Sequence, residues 1–181
     1  MKIEATTIPD VLIITPTVFS DERGVFYESY NQQRFIQKTG LDRTFVQDNL
    51  ARSTKGVLRG LHYQIEQTQG KLVQCISGEV FDVSVDLRKS SETFGQWVGI
   101  MLSSSNRRQL WIPEGFAHGY LVTSESAEVT YKTTHYWAPQ FERTIAWNDP
   151  HLNISWPIDG DLLLSEKDRS AASLAQADVF S

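Results

Sequence analysis

At 181 residues, with 40% hydrophobic and 22% charged side chains, the chain can bury a hydrophobic core and reads as one globular domain spanning residues 1–181. A formal net charge of −5 gives no general attraction for nucleic acid, so an anionic small ligand would need a local cluster of Arg and Lys. The lone Cys75 cannot form an internal disulfide, MKIEATTIPD lacks an apolar signal region, and no long apolar span follows, so the expectation is a cytoplasmic protein with no membrane partner.

Alternation of apolar and polar residues, the strand period, runs through the chain. It predicts strands at roughly 11–19, 24–30 and 44–52, then at roughly 57–63 and 71–77, with turn signals at Asp21 to Gly24, Lys55-Gly56 and Gly70 between them. A short helix is predicted over Asn31 to Thr39, ending at Gly40. VFDVSVDL is the clearest strand, with Phe81, Val83, Val85 and Leu87 on one face and Asp82, Ser84 and Asp86 on the other. Further strands are expected near 97–102, 108–112, 117–123 and 127–137, and the tail from Ser165 is rich in helix formers. Many short strands at this spacing predict an all-β sandwich or barrel with a few short helices, including one near the C-terminus.

Two motifs narrow the barrel type. LWIPEGFAHGYLV contains Pro113-x-Gly115-x-x-His118, which resembles the second motif of cupin barrels, and GVLRGLHYQ resembles a degraded first one. The resemblance implies a cupin-type jelly roll. Metal-binding cupins offer a His-x-His pair, but His62 is followed by Tyr63 and Gln64, and Glu66 alone adds one carboxylate. That is a poor metal cage, so no metal and no other cofactor is expected. Taken alone, His62 would be a satisfied core histidine.

The runs FSDERGVFYESY, FVQDNLARS, GVLRGLHYQ, QGKLVQCISGEVFDVSVDLR, WIPEGFAHGYLV, EVTYKTTHYWAP, FERTIAWND and LSEKD change that reading. As an ordered set they resemble the dTDP-4-dehydrorhamnose 3,5-epimerase family over nearly the full chain. The resemblance implies epimerisation at C3 and C5 of dTDP-4-dehydro-6-deoxy-D-glucose, giving dTDP-4-dehydro-L-rhamnose on the route to dTDP-L-rhamnose. Hydrogens beside the C4 ketone are acidic, so such an enzyme needs a base, a stabiliser for the enolate oxygen and an acid on the opposite face. His62 matches the family's base and Asp168 the carboxylate that orients it. Lys71 matches the cation beside the ketone, and Tyr131 the acid. Ser165-x-x-Asp168 also reads as a capping-box variant, which competes for the same carboxylate.

The resemblance further implies that Arg23, Arg59 and Lys167 bind around the sugar nucleotide. Glu28, Gln47, Asn49, His118 and Glu142 would add polar contacts, and Trp137 would stack on the thymine, though a core Trp is the plainer alternative. His118 has a structural reading too, closing the PEGFAHG turn with Asp82 as partner. Family members are homodimers whose N-terminal strands cross to the partner. The strand around VLIITPTVF would then carry Phe19 and Arg23 to the neighbour's site.

Strand parity makes one demand of its own. Gln47 and Asn49 share a face, but Arg59 and His62 are three apart and point oppositely in a regular strand. If both serve one site, register must break between them, and Gly60 is the place for it. The alternatives to a double epimerase are a 3- or 5-mono-epimerase on a related dTDP-4-keto-deoxysugar, a non-catalytic sugar-nucleotide-binding cupin, and a metal-dependent dioxygenase or isomerase.

Overall fold

The computed structural model describes residues 1–181. In chain order the strands open with β1 (Lys2–Ala5), β2 (Leu12–Thr15), and a hairpin of β3 (Phe19–Asp21) and β4 (Gly24–Phe26). Helix α1 (Gln32–Thr39) is followed by β5 (Gln47–Thr54), β6 (Leu58–Gln64), β7 (Lys71–Ser77) and β8 (Glu79–Asp86). Then come β9 (Trp97–Ser103), β10 (Gln109–Ile112), β11 (Phe116–Val122), β12 (Ser126–Thr133), β13 (Glu142–Thr144) and helix α2 (Glu166–Arg169). The all-β jelly roll with short helices is borne out.

Two antiparallel sheets face each other. One runs β1-β2-β10-β7-β12-β5 and the other β13-β6-β11-β8-β9. Between them lies a core that includes Val73, Cys75, Leu110, Ile112 and Val129 from the first sheet and Val80, Val98, Leu102, Phe116 and Tyr120 from the second. The outer face of the five-stranded sheet is also covered. Leu61, Val83, Val85, Leu87 and Ala117 pack there against Ile145, Leu152, Trp156, Leu174 and Phe180 from the C-terminal third of the chain. On the other side of the molecule, α1 lays Phe35 on the six-stranded sheet, within an aromatic cluster of Tyr30, Phe45 and Trp111.

Local chemistry explains the helix α1. The Asn31 side chain accepts from the Arg34 N–H at its start, and Gly40, at φ 74°, closes its end as only glycine does cheaply. The predicted helical tail is mostly not helical. α2 is a single turn, Leu174–Gln176 is a short 3-10 turn, and the rest is extended chain docked on neighbours. Its propensity is real, but the hydrogen bonds it makes to β-strand edges and loops win over local helix. β12 stops at Thr133 rather than 137, where the Thr133 hydroxyl donates to the His135 carbonyl at 2.8 Å and turns the chain. β1 and β13 are strands that the alternation pattern did not single out, each being only three or four residues long.

Candidate active site

A cavity of about 400 Å³ opens between the two sheets at one end of the barrel. Its six-stranded wall presents Gln47, Asn49, Lys71 and Tyr131, and its five-stranded wall Arg59, His62, His118 and Glu142. Trp137 and Lys167 join from loop and α2 respectively. The placement follows from register: Thr133 pairs with Lys71, Tyr131 with Asn49, and Thr133 again with Gln47, so these alternate residues turn inward together.

On β6 the pairing with β11 shifts between His118 and Tyr120, so that His118 sits opposite His62 and Tyr120 opposite Arg59. The shift lies at Gly60, whose φ is +123°, and the Gly60–Leu61 peptide is cis. A Cβ on Gly60 would lie 2.5 Å from the Gly119 Cα, so this break requires glycine. With parity reset, Arg59 and His62 line one cavity, as the shared-site argument demanded.

Asp168 stands behind His62, 3% exposed, with one carboxylate oxygen 2.5 Å from the imidazole Nε2. The other oxygen accepts from the Ser165 hydroxyl at 2.8 Å, while that hydroxyl accepts from the Asp168 N–H at 3.2 Å. The two readings of Ser165-x-x-Asp168 therefore coexist: Ser165 caps the helix, and the carboxylate is free to serve the imidazole. Because the carboxylate accepts from Nε2, the neutral ring carries its proton there and leaves Nδ1 as the open acceptor. Burial lowers the His62 pKa from its ordinary 6.5, with Asp168 opposing. Burial alone would raise the Asp168 carboxyl, but the hydrogen bond and charge of His62 outweigh it and hold it low.

Lys71 is 6% exposed and donates to the His62 carbonyl at 3.2 Å. Burial pulls its pKa down to about 8, against the pull of Asp82 and Glu142. The Tyr131 phenol is pushed above its ordinary value by burial, with the Arg59 charge opposing. It remains a neutral O–H donor through the physiological range. Arg59 donates through Nε to the Ser53 hydroxyl at 3.2 Å.

Below them His118 contacts the fully buried Asp82 carboxylate at 2.9 Å, the partner anticipated for it. The face of VFDVSVDL that carries Asp82 thus points inward between the sheets, while Phe81, Val83, Val85 and Leu87 pack outward. At the rim Lys167 pairs with Glu142 at 2.9 Å, and Gln47 joins Asn49 at 2.9 Å. Trp137, 58% exposed, presents a ring at the mouth, and its backbone N–H donates to the Gln47 carboxamide oxygen at 3.0 Å. It reaches the cavity from the loop after β12, beyond the end of the strand expected to run to 137.

Two of the residues carried over from the family lie elsewhere. Arg23 sits in the exposed β3–β4 hairpin, paired with Asp21 at 2.5 Å. Glu28 pairs with Arg34 at 2.7 Å beside α1. Neither lines this chain's own cavity. Conversely, Tyr120 and Gln64 line it and were not singled out. Both were within reach of parity, since Tyr120 follows His118 by two and Gln64 follows His62 by two. Gln64 accepts from the Ala138 N–H and donates to the Tyr136 carbonyl, which fixes the loop carrying Trp137. No group of three or more His, Cys, Asp or Glu side chains is gathered in a metal-binding arrangement.

A site with a carboxylate-held imidazole on one wall and a neutral phenol on the other can remove a proton from one face of a small molecule and return one to the opposite face. Lys71, Arg59 and Lys167 supply local positive charge that the chain as a whole lacks.

Comparison with known proteins agrees with this chemistry. The family model described as dTDP-4-dehydrorhamnose 3,5-epimerase matches residues 5–176. A protein of that name from Pseudomonas aeruginosa is 60% identical over 180 residues, covering 99% of both chains. One from Salmonella typhimurium is 58% identical over 178 residues, covering 98% of this chain and 97% of that one. Among solved structures, dTDP-6-deoxy-D-glucose-3,5-epimerase from Legionella pneumophila, in complex with dTDP-4-keto-L-rhamnose, superposes with a TM-score of 0.96 at 52% identity, covering 98% and 94% of the two chains. A 3'-monoepimerase from Streptomyces bikiniensis in complex with dTDP-quinovose superposes at 0.89 with 33% identity, covering 94% and 87%. With the matched residues spanning nearly the whole chain, it belongs to the dTDP-4-dehydrorhamnose 3,5-epimerase family.

Proposed function

We propose that the chain epimerises C3 and C5 of dTDP-4-dehydro-6-deoxy-D-glucose to give dTDP-4-dehydro-L-rhamnose. His62 Nδ1 takes the proton from a carbon beside the C4 ketone. The C–H electrons form the enolate double bond, and the carbonyl electrons move to oxygen, where Lys71 stabilises the charge. Tyr131 protonates the same carbon from the opposite face, and proton exchange with solvent resets His62 and Tyr131. The cycle then repeats at the second carbon. The observation that carries this reading is the placement of His62 and Tyr131 on opposing sheets across one cavity.

Arg59 and Lys167 are assigned to the diphosphate, where arginine's planar fork suits the anionic oxygens. Gln47, Asn49, His118 and Glu142 are assigned to polar contacts, and Trp137 to the thymine. All chemistry assigned here runs through side-chain protons. A second reading, single epimerisation, is favoured by the shared fold of the 3'-monoepimerase neighbour. Turnover of the 4-keto sugar nucleotide in deuterated water separates them. Deuterium at both C3 and C5 is expected, exchange at one carbon gives the mono-epimerase, and no exchange leaves only a binding protein.

The hairpin supports a homodimer with exchanged N-terminal strands. Phe19, Val25 and Phe26 are 63%, 52% and 70% exposed, and Leu50 and Ile76 on the outer face of the six-stranded sheet are uncovered. A second copy would cover them, with Phe19 and Arg23, and Glu28 near the same segment, reaching the partner's site. A single domain working in the cytoplasm fits the shared core and the free, buried Cys75.

A further inference from the structure

The base carboxylate rides on a segment that cannot hold its own position. Helix α2 is one turn long, too short to be stable alone. The Asp168 carboxylate hydrogen-bonds only to His62 and Ser165, and Ser165 lies on the same segment. Apart from the rim pair of Lys167 with Glu142, its placement is therefore inherited from the anchors on either side. Upstream, Leu58 N–H donates to the Leu163 carbonyl at 3.1 Å, and Leu163 N–H to Gly56 at 2.9 Å. Downstream, the first anchors are Ala146 N–H to the Ala172 carbonyl at 2.8 Å and Leu174 N–H to the Asp149 carboxylate at 2.7 Å.

Asp149 is 2% exposed and buried without an arginine or lysine partner. Its Oδ1 accepts from the N–H groups of His151 and Leu152 at 2.8 and 3.2 Å, which shapes its own loop. Its Oδ2 alone reaches across 25 residues of chain to Leu174. That loop is itself fixed to the barrel, since the Trp97 indole donates to the Leu152 carbonyl at 3.0 Å. A buried carboxylate that sends one oxygen to its loop and the other to the strap is a clamp between the two.

We propose that Asp149 is a positioning residue for the epimerase base: by holding Leu174 it keeps the C-terminal strap, and with it Asp168, against His62. This rests on His62 being the base of the proposed reaction. An asparagine at 149 has one acceptor oxygen instead of two. Facing His151 and Leu152, that oxygen keeps the loop and turns an amide N–H₂ toward the Leu174 N–H, so Asp149→Asn releases the strap specifically. Leu174→Pro removes the same hydrogen bond from the donor side. Position 174 opens a 3-10 turn after Ser173 at φ −68° and ψ 160°, a backbone that accepts proline.

The test measures kcat, KM and the pH profile, with deuterium incorporation as the assay, for Asp149→Asn, Leu174→Pro, Asp168→Asn and the double variant Asp149→Asn/Asp168→Asn. The His62 imidazole pKa is followed in parallel by NMR titration. Either strap variant is expected to lower kcat about tenfold or more with KM within about twofold, and to lower the His62 pKa toward its Asp168→Asn value. The double variant is expected to be no slower than Asp168→Asn alone, because both changes act through one contact. Losses that multiply in the double variant, or a folded strap variant with wild-type kcat and His62 pKa, overturn the proposal. The NMR readout needs no turnover. A wild type without C–H exchange would defeat the epimerase reading while the clamp between Asp149 and the His62–Asp168 pair is still decided.

Discussion

His62 has its Nε2 committed to a buried carboxylate and its pKa lowered by its own burial. A base with a lowered pKa stays unprotonated further into acid, so the acid limb of kcat/KM is expected below the ordinary histidine value of 6.5. Asp168 raises the His62 pKa, so Asp168→Asn is expected to move that limb further toward acid, and to cut kcat by ~10²–10⁴-fold by freeing the wrong tautomer. A pH–rate series on both proteins checks it, and a limb that moves toward base contradicts the assignment. Lys71 supplies the other limb. Held at about 8, it is largely charged at neutral pH and loses its charge as pH rises through that value. Lys71→Met is expected to lower kcat by ~10²–10³-fold, the usual effect of removing one donor to a developing oxyanion, and to abolish the basic limb. Retention of that limb in the variant would assign it to another group.

At the scale of elements, β6 carries the sharpest constraint, because a regular strand cannot bring Arg59 and His62 to one cavity. Gly60→Ala combines a φ of +123° with a Cβ 2.5 Å from Gly119 Cα and 2.7 Å from the His118 carbonyl. Backbone gives little room, so the variant is expected to lose ~2–3 kcal/mol or more, read as a lower denaturant midpoint at unchanged slope. Any folded fraction is expected to bind and turn over poorly, since either Arg59 or His62 must leave the cavity. This break was legible in the sequence because parity and a glycine coincide within four residues. The two faces of VFDVSVDL were legible too, but which one met the site was not. Phe81, Val83, Val85 and Leu87 face out beneath Trp156, Leu174 and Phe180. Their cover comes from residues 145–180, a segment with almost no regular structure, whose docking has no period to read. The same absence hid Asp149. A lone aspartate in a loop is usual for a turn, and only in the folded chain does its second oxygen reach Leu174. The tail misled in the opposite sense, its helix propensity overridden by hydrogen bonds to Ala146, Leu87 and Lys89.

At the scale of the whole molecule, the site within one chain contains ten of the thirteen residues expected of it, with Asp168 immediately behind. The two that stand apart, Arg23 and Glu28, both fall between β2 and α1, next to exposed Phe19 and Phe26. A defect in packing would scatter such outliers, whereas a segment that serves a second chain collects them. In a two-fold dimer each site would then combine His62 of one chain with Arg23 of the other. Arg23→Ala and His62→Asn are each expected to be nearly inactive as pure proteins. Mixed after dissociation, random reassortment makes roughly half the dimers hybrid, each with one site that has both His62 and Arg23, so about a quarter of wild-type activity should return. Should Arg23 act within its own chain, or not at all, no hybrid site is repaired and the mixture stays at the level of its components. Sedimentation of the same mixture checks that the dimers have exchanged, so that a missing recovery counts against the exchanged hairpin rather than against the mixing.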